Sequence, residues 1–206
     1  MNSDRYAPGI MAVLPEDDVF RTPLGDVHVD TELRDKLLQS DKRIVCSNQS
    51  HRQEHTIEVQ LPFLQMTHEN FKILPVLFGE VTSEHCMRFA ELLERVRGSK
   101  KLFILSSTDL SHYPPDKIAR KLDAKTVAFA ERFDIDGLCA WKESAEWHDL
   151  TGVETPICSA GGLCVAMQWA QCHGATRTMV LQRGTSFDAG GDASRVVGYS
   201  SMLFVK

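Results

Sequence analysis

KLFILSSTDLSHY, residues 101–113, is an apolar run that ends in chemistry. Leu102, Phe103, Ile104 and Leu105 read as a buried strand of a helix-covered sheet. The run stops at Ser106 and Ser107, and the next turn presents Asp109 and His112. In an open α/β sheet, ligands and catalysts gather at the carboxyl ends of strands. A carboxylate and an imidazole three residues apart there can accept a proton, donate one or bind a metal. The alternative is a polar strand-to-loop transition with a capping aspartate.

Working outward, strand and helix signals alternate. Residues 9–14 (GIMAVL) read as a short strand, and FRTPLGDVHVD carries Pro23 and Gly25, which predict a turn followed by extended chain. Asp30 is placed to cap a helix from Thr31 to about Gln39, with Leu33, Leu37 and Leu38 inward. Residues 43–46 read as a weak strand. A helix is predicted over residues 49–65, kinked or ended at Pro62. Residues 71–78 (FKILPVLF) read as an edge or bulged strand because of Pro75. Ser83 is placed to cap a helix through Val96, stopped by Gly98, with Met87, Ala90 and Leu93 at helical spacing.

Further helices are expected over residues 116–133 (Ile118, Leu122, Val127, Ala128 and Ala130 inward), 136–142 and 158–173. Strands at 178–181 and 196–205 close the chain, and the GTSFDAGGDASRVVGY loop near them reads as a lid or a long hairpin-like turn. This alternation predicts an α/β fold with a mixed, mostly parallel sheet and helices on both faces, in one domain spanning residues 1–206.

Bulk composition bounds the function. With 206 residues, 43% of them hydrophobic, a real core is possible. Lys+Arg 23 against Asp+Glu 28 gives a net charge of −5, so no basic surface advertises nucleic acid. No apolar stretch approaches the ~20 residues of a membrane helix, and the N-terminus has no signal-peptide pattern. A soluble, cytoplasmic protein is expected. The six cysteines are scattered without a CxxC pair, which suits reduced thiols.

Three places invite chemistry. HRQEH at residues 51–55 fits H-x-x-E-H, the inverted zinc-peptidase pattern, with His51 and His55 one helical turn apart and Glu54 to activate water. The alternative is a solvated surface turn at His51, Arg52 and Glu54. His55 stands beside an apolar face, with Glu58 three residues on to orient its ring. Cys158, at a predicted helix start before Ser159, Ala160, Gly161 and Gly162, feels the helix dipole, which favours thiolate. Cys164 and Cys172, deeper in that helix, read as packing.

EHTIEVQLPFLQ, SSTDLSHY, the C-terminal GATRTMVLQRGTSFDAGGDASRVVGYSSMLFV and the early TPLGDVHVD together resemble the Memo-like family over essentially the whole chain. The likeness extends to the bacterial and archaeal AmmeMemoRadiSam protein B type, encoded beside radical-SAM and AMMECR-type proteins. It implies a three-layer α/β sandwich similar to the class III, LigB-type extradiol dioxygenases. It also implies a metal-binding redox protein using non-haem iron or copper, with a small-molecule or peptide ligand.

Carried over from the family, His55 and Cys158 look like metal ligands, and Asp109 and His112 like pocket-lining catalytic groups. In that scheme His112 transfers a proton or stabilises bound oxygen, and Asp109 orients it. The family's earlier P-H-A-G and P-N-H histidine segments find no match here, so an N-terminally incomplete metal shell is expected. A non-catalytic peptide- or partner-binding module on the same fold is the alternative function, and a zinc peptidase through HRQEH a third.

Overall fold

The computed structural model describes residues 9–52, 54–79 and 82–206. The chain is an α/β protein whose segments group into two compact units, one within residues 1–81 together with 88–107, the other formed by 82–87 and 108–206.

In the first unit, β1 (Ala12–Leu14) pairs in parallel with β4 (Ile44–Cys46), and all three β1 residues are buried. Between them lie β2 (Val19–Thr22) and β3 (Gly25–His28), an antiparallel hairpin, and α1 (Thr31–Ser40). The hairpin turns at Pro23 and Leu24, where Gly25 takes φ +120°, a value that side-chain-bearing residues resist. Asp30 caps α1 as the sequence predicts, its Oδ1 accepting the Leu33 N–H at 3.0 Å. Leu33 and Leu37 are buried. Each contributes about 1.5–3 kcal/mol relative to exposure.

Several expectations fail in this unit. The helix predicted over 49–65 is two short ones, α2 (Asn48–Arg52) and α3 (Leu61–Thr67). Pro62 lies in the first turn of α3 rather than ending a helix, since a missing N–H costs nothing there. Residues 71–78 form no strand, only isolated bridges from Ile73 to Val29 and from Leu77 to Val13, on either side of Pro75.

The apolar run of residues 102–105 also takes no strand pairing among the described residues, with Phe103 76% and Leu105 47% exposed. Burial alternates along it, so the period of two survives, but no neighbouring backbone forms a ladder with it.

Helix α4 (Ser83–Arg97) gives residues 83–87 to the second unit and the rest to the first. Its cap is Thr82 rather than Ser83, with Oγ1 accepting the His85 N–H at 3.2 Å. Ala90 and Leu93 are buried as predicted, whereas Met87 is 37% exposed.

The second unit continues with α5 (Asp116–Glu131), α6 (Ile135–Lys142) and α7 (Ala160–Cys172). Two long antiparallel strands follow, β5 (Arg177–Thr185) and β6 (Gly198–Val205), with an irregularity between Val180 and Gln182. Their connection is a hairpin loop pinned by its own side chains. Asp188 accepts the Thr185 N–H, and Asp192 accepts from both the N–H and the hydroxyl of Ser194. Ala119, Leu122, Val127 and Ala130 bury one face of α5, together with two polar residues, Asp123 and Thr126.

The strands of the described residues form three separate pairs, one parallel and two antiparallel, rather than one mostly parallel sheet. Among the described residues no helix is long and apolar enough to cross a membrane.

Candidate functional site

The SSTDLSHY segment reaches its chemistry through the backbone of residues 108–114, which is bonded on both sides. On one side Cys158 N–H donates to Asp109 O (3.1 Å), His112 N–H to Thr155 O (3.0 Å) and Glu154 N–H to His112 O (3.0 Å). The Thr108 hydroxyl also accepts the Ser159 N–H at 2.9 Å. On the other side Leu110 N–H donates to Gly198 O (2.9 Å), Gly198 N–H to Ser111 O (2.8 Å) and Tyr113 N–H to Val196 O (2.7 Å). The segment is thus the middle of three adjacent backbones, and this sets Asp109 and His112 beside the approach to α7.

His112 is 9% exposed, and its Nε2 stands 3.4 Å from Asp109 Oδ2. That separation is long for a hydrogen bond. Nε2 is enclosed and makes no hydrogen bond among the described residues. The Asp109 side chain is 46% exposed, so the pair has one enclosed member and one open to solvent. The next residue, Tyr113, has φ +70°. Holding a non-glycine residue there costs roughly 1–3 kcal/mol. The turn swings the chain from the bonded segment into Pro114, Pro115 and α5. Its ring packs against His112, and the Arg195 guanidinium lies 4.1 Å from the Tyr113 ring centroid.

Cys158 lies two residues before α7, which is the helix predicted over residues 158–173. Ser159 occupies the cap position without a side-chain cap bond. The backbone bond from Cys158 to Asp109 brings the thiol-bearing residue and the acid onto adjoining strands of chain.

Beneath this junction lies a group that the sequence reading passed over. Asp123 of α5 is 5% exposed, and its Oδ1 accepts the Ser111 N–H at 3.0 Å. Burial pushes its carboxyl up to about 6, against the opposing pull of that N–H and of Arg183 and Arg120. Gly198 closes over it: a Cβ built there would lie 1.9 Å from Asp123 Oδ2. The available signal was a carboxylate falling on the Ala119, Leu122 and Thr126 face of a periodic helix.

His55 belongs to the first unit, outside any helix, and its Nδ1 pairs with Glu58 at 2.6 Å as the spacing suggested. The HRQEH reading is corrected in two respects. Helix α2 closes at Arg52, so His51 and His55 do not share a helical turn. His51 is neither a ligand facing outward nor a solvated residue. It is 9% exposed, with Nε2 3.1 Å from Val13 O and the ring edge-on to Phe20. Burial lowers its affinity for a proton.

None of the six cysteines is in a disulfide. Cys164 is buried, as read from the sequence, but Cys172 is exposed. Among the described residues no group of three or more His, Cys, Asp and Glu is arranged to hold a metal ion.

Comparison with known proteins adds a lineage to this geometry. The Memo-like protein family matches residues 8–203. A MEMO1 family protein of Archaeoglobus fulgidus is 35% identical over 91% of this chain and 68% of its own length. Another, from Methanosarcina mazei, is 30% identical over 98% of this chain and 81% of the relative. One from Aquifex aeolicus is 34% identical over 91% of this chain and 67% of the relative. With the match running through the Asp109–His112 segment, the Cys158 turn and the β5–β6 pair, the chain belongs to the Memo-like protein family.

Proposed function

We propose that this Memo-like protein binds a small oxygenated ligand at the Asp109–His112 junction and moves a proton there, with His112 as the acid–base group and Asp109 as its orienting partner. One observation carries the reading. The His112 Nε2 is enclosed and lacks a hydrogen bond among the described residues, while its nearest acid, 3.4 Å away, opens to solvent. A buried polar atom without a partner costs about 1–3 kcal/mol. A ligand oxygen at Nε2 recovers that cost, and Asp109 provides the proton's route to water.

The iron or copper expected from the family resemblance needs a donor set. His55 and Cys158 are two donors, where catalytic sites use three protein ligands, and two hold an ion far more weakly. Among the described residues no group of three or more His, Cys, Asp and Glu is arranged to hold a metal ion, and the proton chemistry proposed above uses this chain's own side chains.

The test uses the whole chain with catechol as an oxygenated probe, following ring resonances by NMR. Saturable shifts of the His112 ring, weakened in Asp109→Asn, are expected, with catechol binding followed by calorimetry lost in His112→Asn. Binding of catechol that neither substitution alters overturns the assignment. Elemental analysis is the companion measurement: stoichiometric iron or copper, lost in His55→Ala, would replace this reading with metal-dependent redox chemistry.

A further inference from the structure

Three cysteines far apart in sequence meet inside the second unit, away from any role given above. Cys139 on α6 and Cys164 on α7 place their sulfurs 3.7 Å apart. Cys86, in the first turns of α4, has its sulfur 3.8 Å from Gly161 O on α7 and interacts with both other thiols. Cys86 and Cys164 are fully buried, whereas Cys139 is only half-buried.

We propose that Cys139 and Cys164 form a peroxide-sensitive thiol pair that oxidises to a disulfide linking α6 to α7, with Cys139 reacting first and Cys164 resolving. Three features of the cluster separate it from ordinary packing. The reacting sulfurs are already in contact, and closing from 3.7 Å to the bonded distance of about 2.05 Å is within side-chain rotation. The least buried member is also the one that its neighbours make acidic: hydrogen bonding with the Cys164 and Cys86 thiols favours the Cys139 thiolate. The same arrangement, with burial, pushes Cys164 upward, which keeps its proton on until the second step.

The chemistry balances with hydrogen peroxide as the oxidant. The Cys139 thiolate attacks a peroxide oxygen, an S–O bond forms, the O–O bond breaks, and hydroxide leaves to take up the thiol's proton as water. Cys164 then attacks the sulfenic sulfur, an S–S bond forms, the S–O bond breaks, and hydroxide leaves as water with the Cys164 proton. Two thiols lose two electrons to one peroxide, giving one disulfide and two waters.

If these thiols were merely small core residues, half-buried Cys139 would oxidise no sooner than exposed Cys172, and no bridge would form. The experiment treats the full-length chain with hydrogen peroxide, blocks remaining thiols and maps peptides by mass spectrometry. A linked Cys139–Cys164 peptide, reversed by phosphine reductant, is expected before Cys172 is modified. It is lost in Cys139→Ser. In Cys164→Ser the Cys139 sulfenic acid accumulates and is captured by dimedone. Cys164→Ala serves in parallel because a buried serine can unfold the chain, and the wild-type map decides alone if neither folds. Oxidation of Cys139 to sulfinate without a linked peptide overturns the proposal, as does earlier modification of Cys172.

Discussion

Replacing Asp123 by Asn should remove a loss of stability that sets in as pH rises from 3.8 to about 6, and the size of the effect follows from burial. Asp123 is 5% exposed, and its carboxyl is raised from 3.8 to about 6. In the folded chain it therefore holds its proton over a range where the unfolded chain has released it. The folded state binds more protons between these two values, so stability falls as pH rises through about 6. The contribution is fully present below the unfolded value. A shift of about two units corresponds to roughly 3 kcal/mol at each 1.36 kcal/mol per unit. Asn keeps an oxygen for the Ser111 N–H, so the packing under Gly198 is retained and only the titration is removed. Urea unfolding of both proteins, at about pH 3 and about pH 7.5, measures the effect. The wild type should lose about 3 kcal/mol more than Asp123→Asn over that interval. Parallel profiles would refute the reasoning, because they would mean that the carboxyl ionises in the fold as it does in water.

Gly198→Ala tests the same contact from above. The added Cβ meets Asp123 Oδ2 at 1.9 Å, so the Ser111 bond or the β6 start must give, at a cost of about 2 kcal/mol or more. Adding Asp123→Ala should recover part of that loss, and additive penalties in the double mutant would sink the explanation. His51 runs opposite to Asp123 in sign. Burial lowers its affinity for a proton, so it favours the folded chain above the usual histidine range and loses that contribution as pH falls. His51→Gln should soften acid unfolding while costing about 0.5–1.5 kcal/mol at neutral pH through the lost ring bond to the Val13 carbonyl, which keeps the Leu77 N–H. An unchanged acid limb in denaturant melts would count against it.

Local signals were read well where the physics is local. Asp30 caps α1, the hairpin turns at Pro23 and Leu24, and the helices at α5, α6 and α7 follow their apolar spacing. Readings that needed a partner from elsewhere fared worse. Residues 102–105 keep a strand's alternation without a ladder, and HRQEH keeps its letters without one helix to align them. Cap identity slipped by one residue at Thr82, because two adjacent hydroxyls compete and only backbone direction decides between them.

What the amino-acid order determined alone was the class of the protein, its Memo-like membership and the residues His55, Asp109, His112 and Cys158 as a set worth watching, since periodicity and motifs are written along one dimension. Folding decided the rest. Only tertiary structure could place residues 108–114 between two other backbones, hide Asp123 beneath Gly198 and bring Cys139 against Cys164. Burial and contact depend on segments far apart in sequence. A side chain's charge, reactivity and partners are therefore settled by neighbours that its own stretch of sequence does not contain.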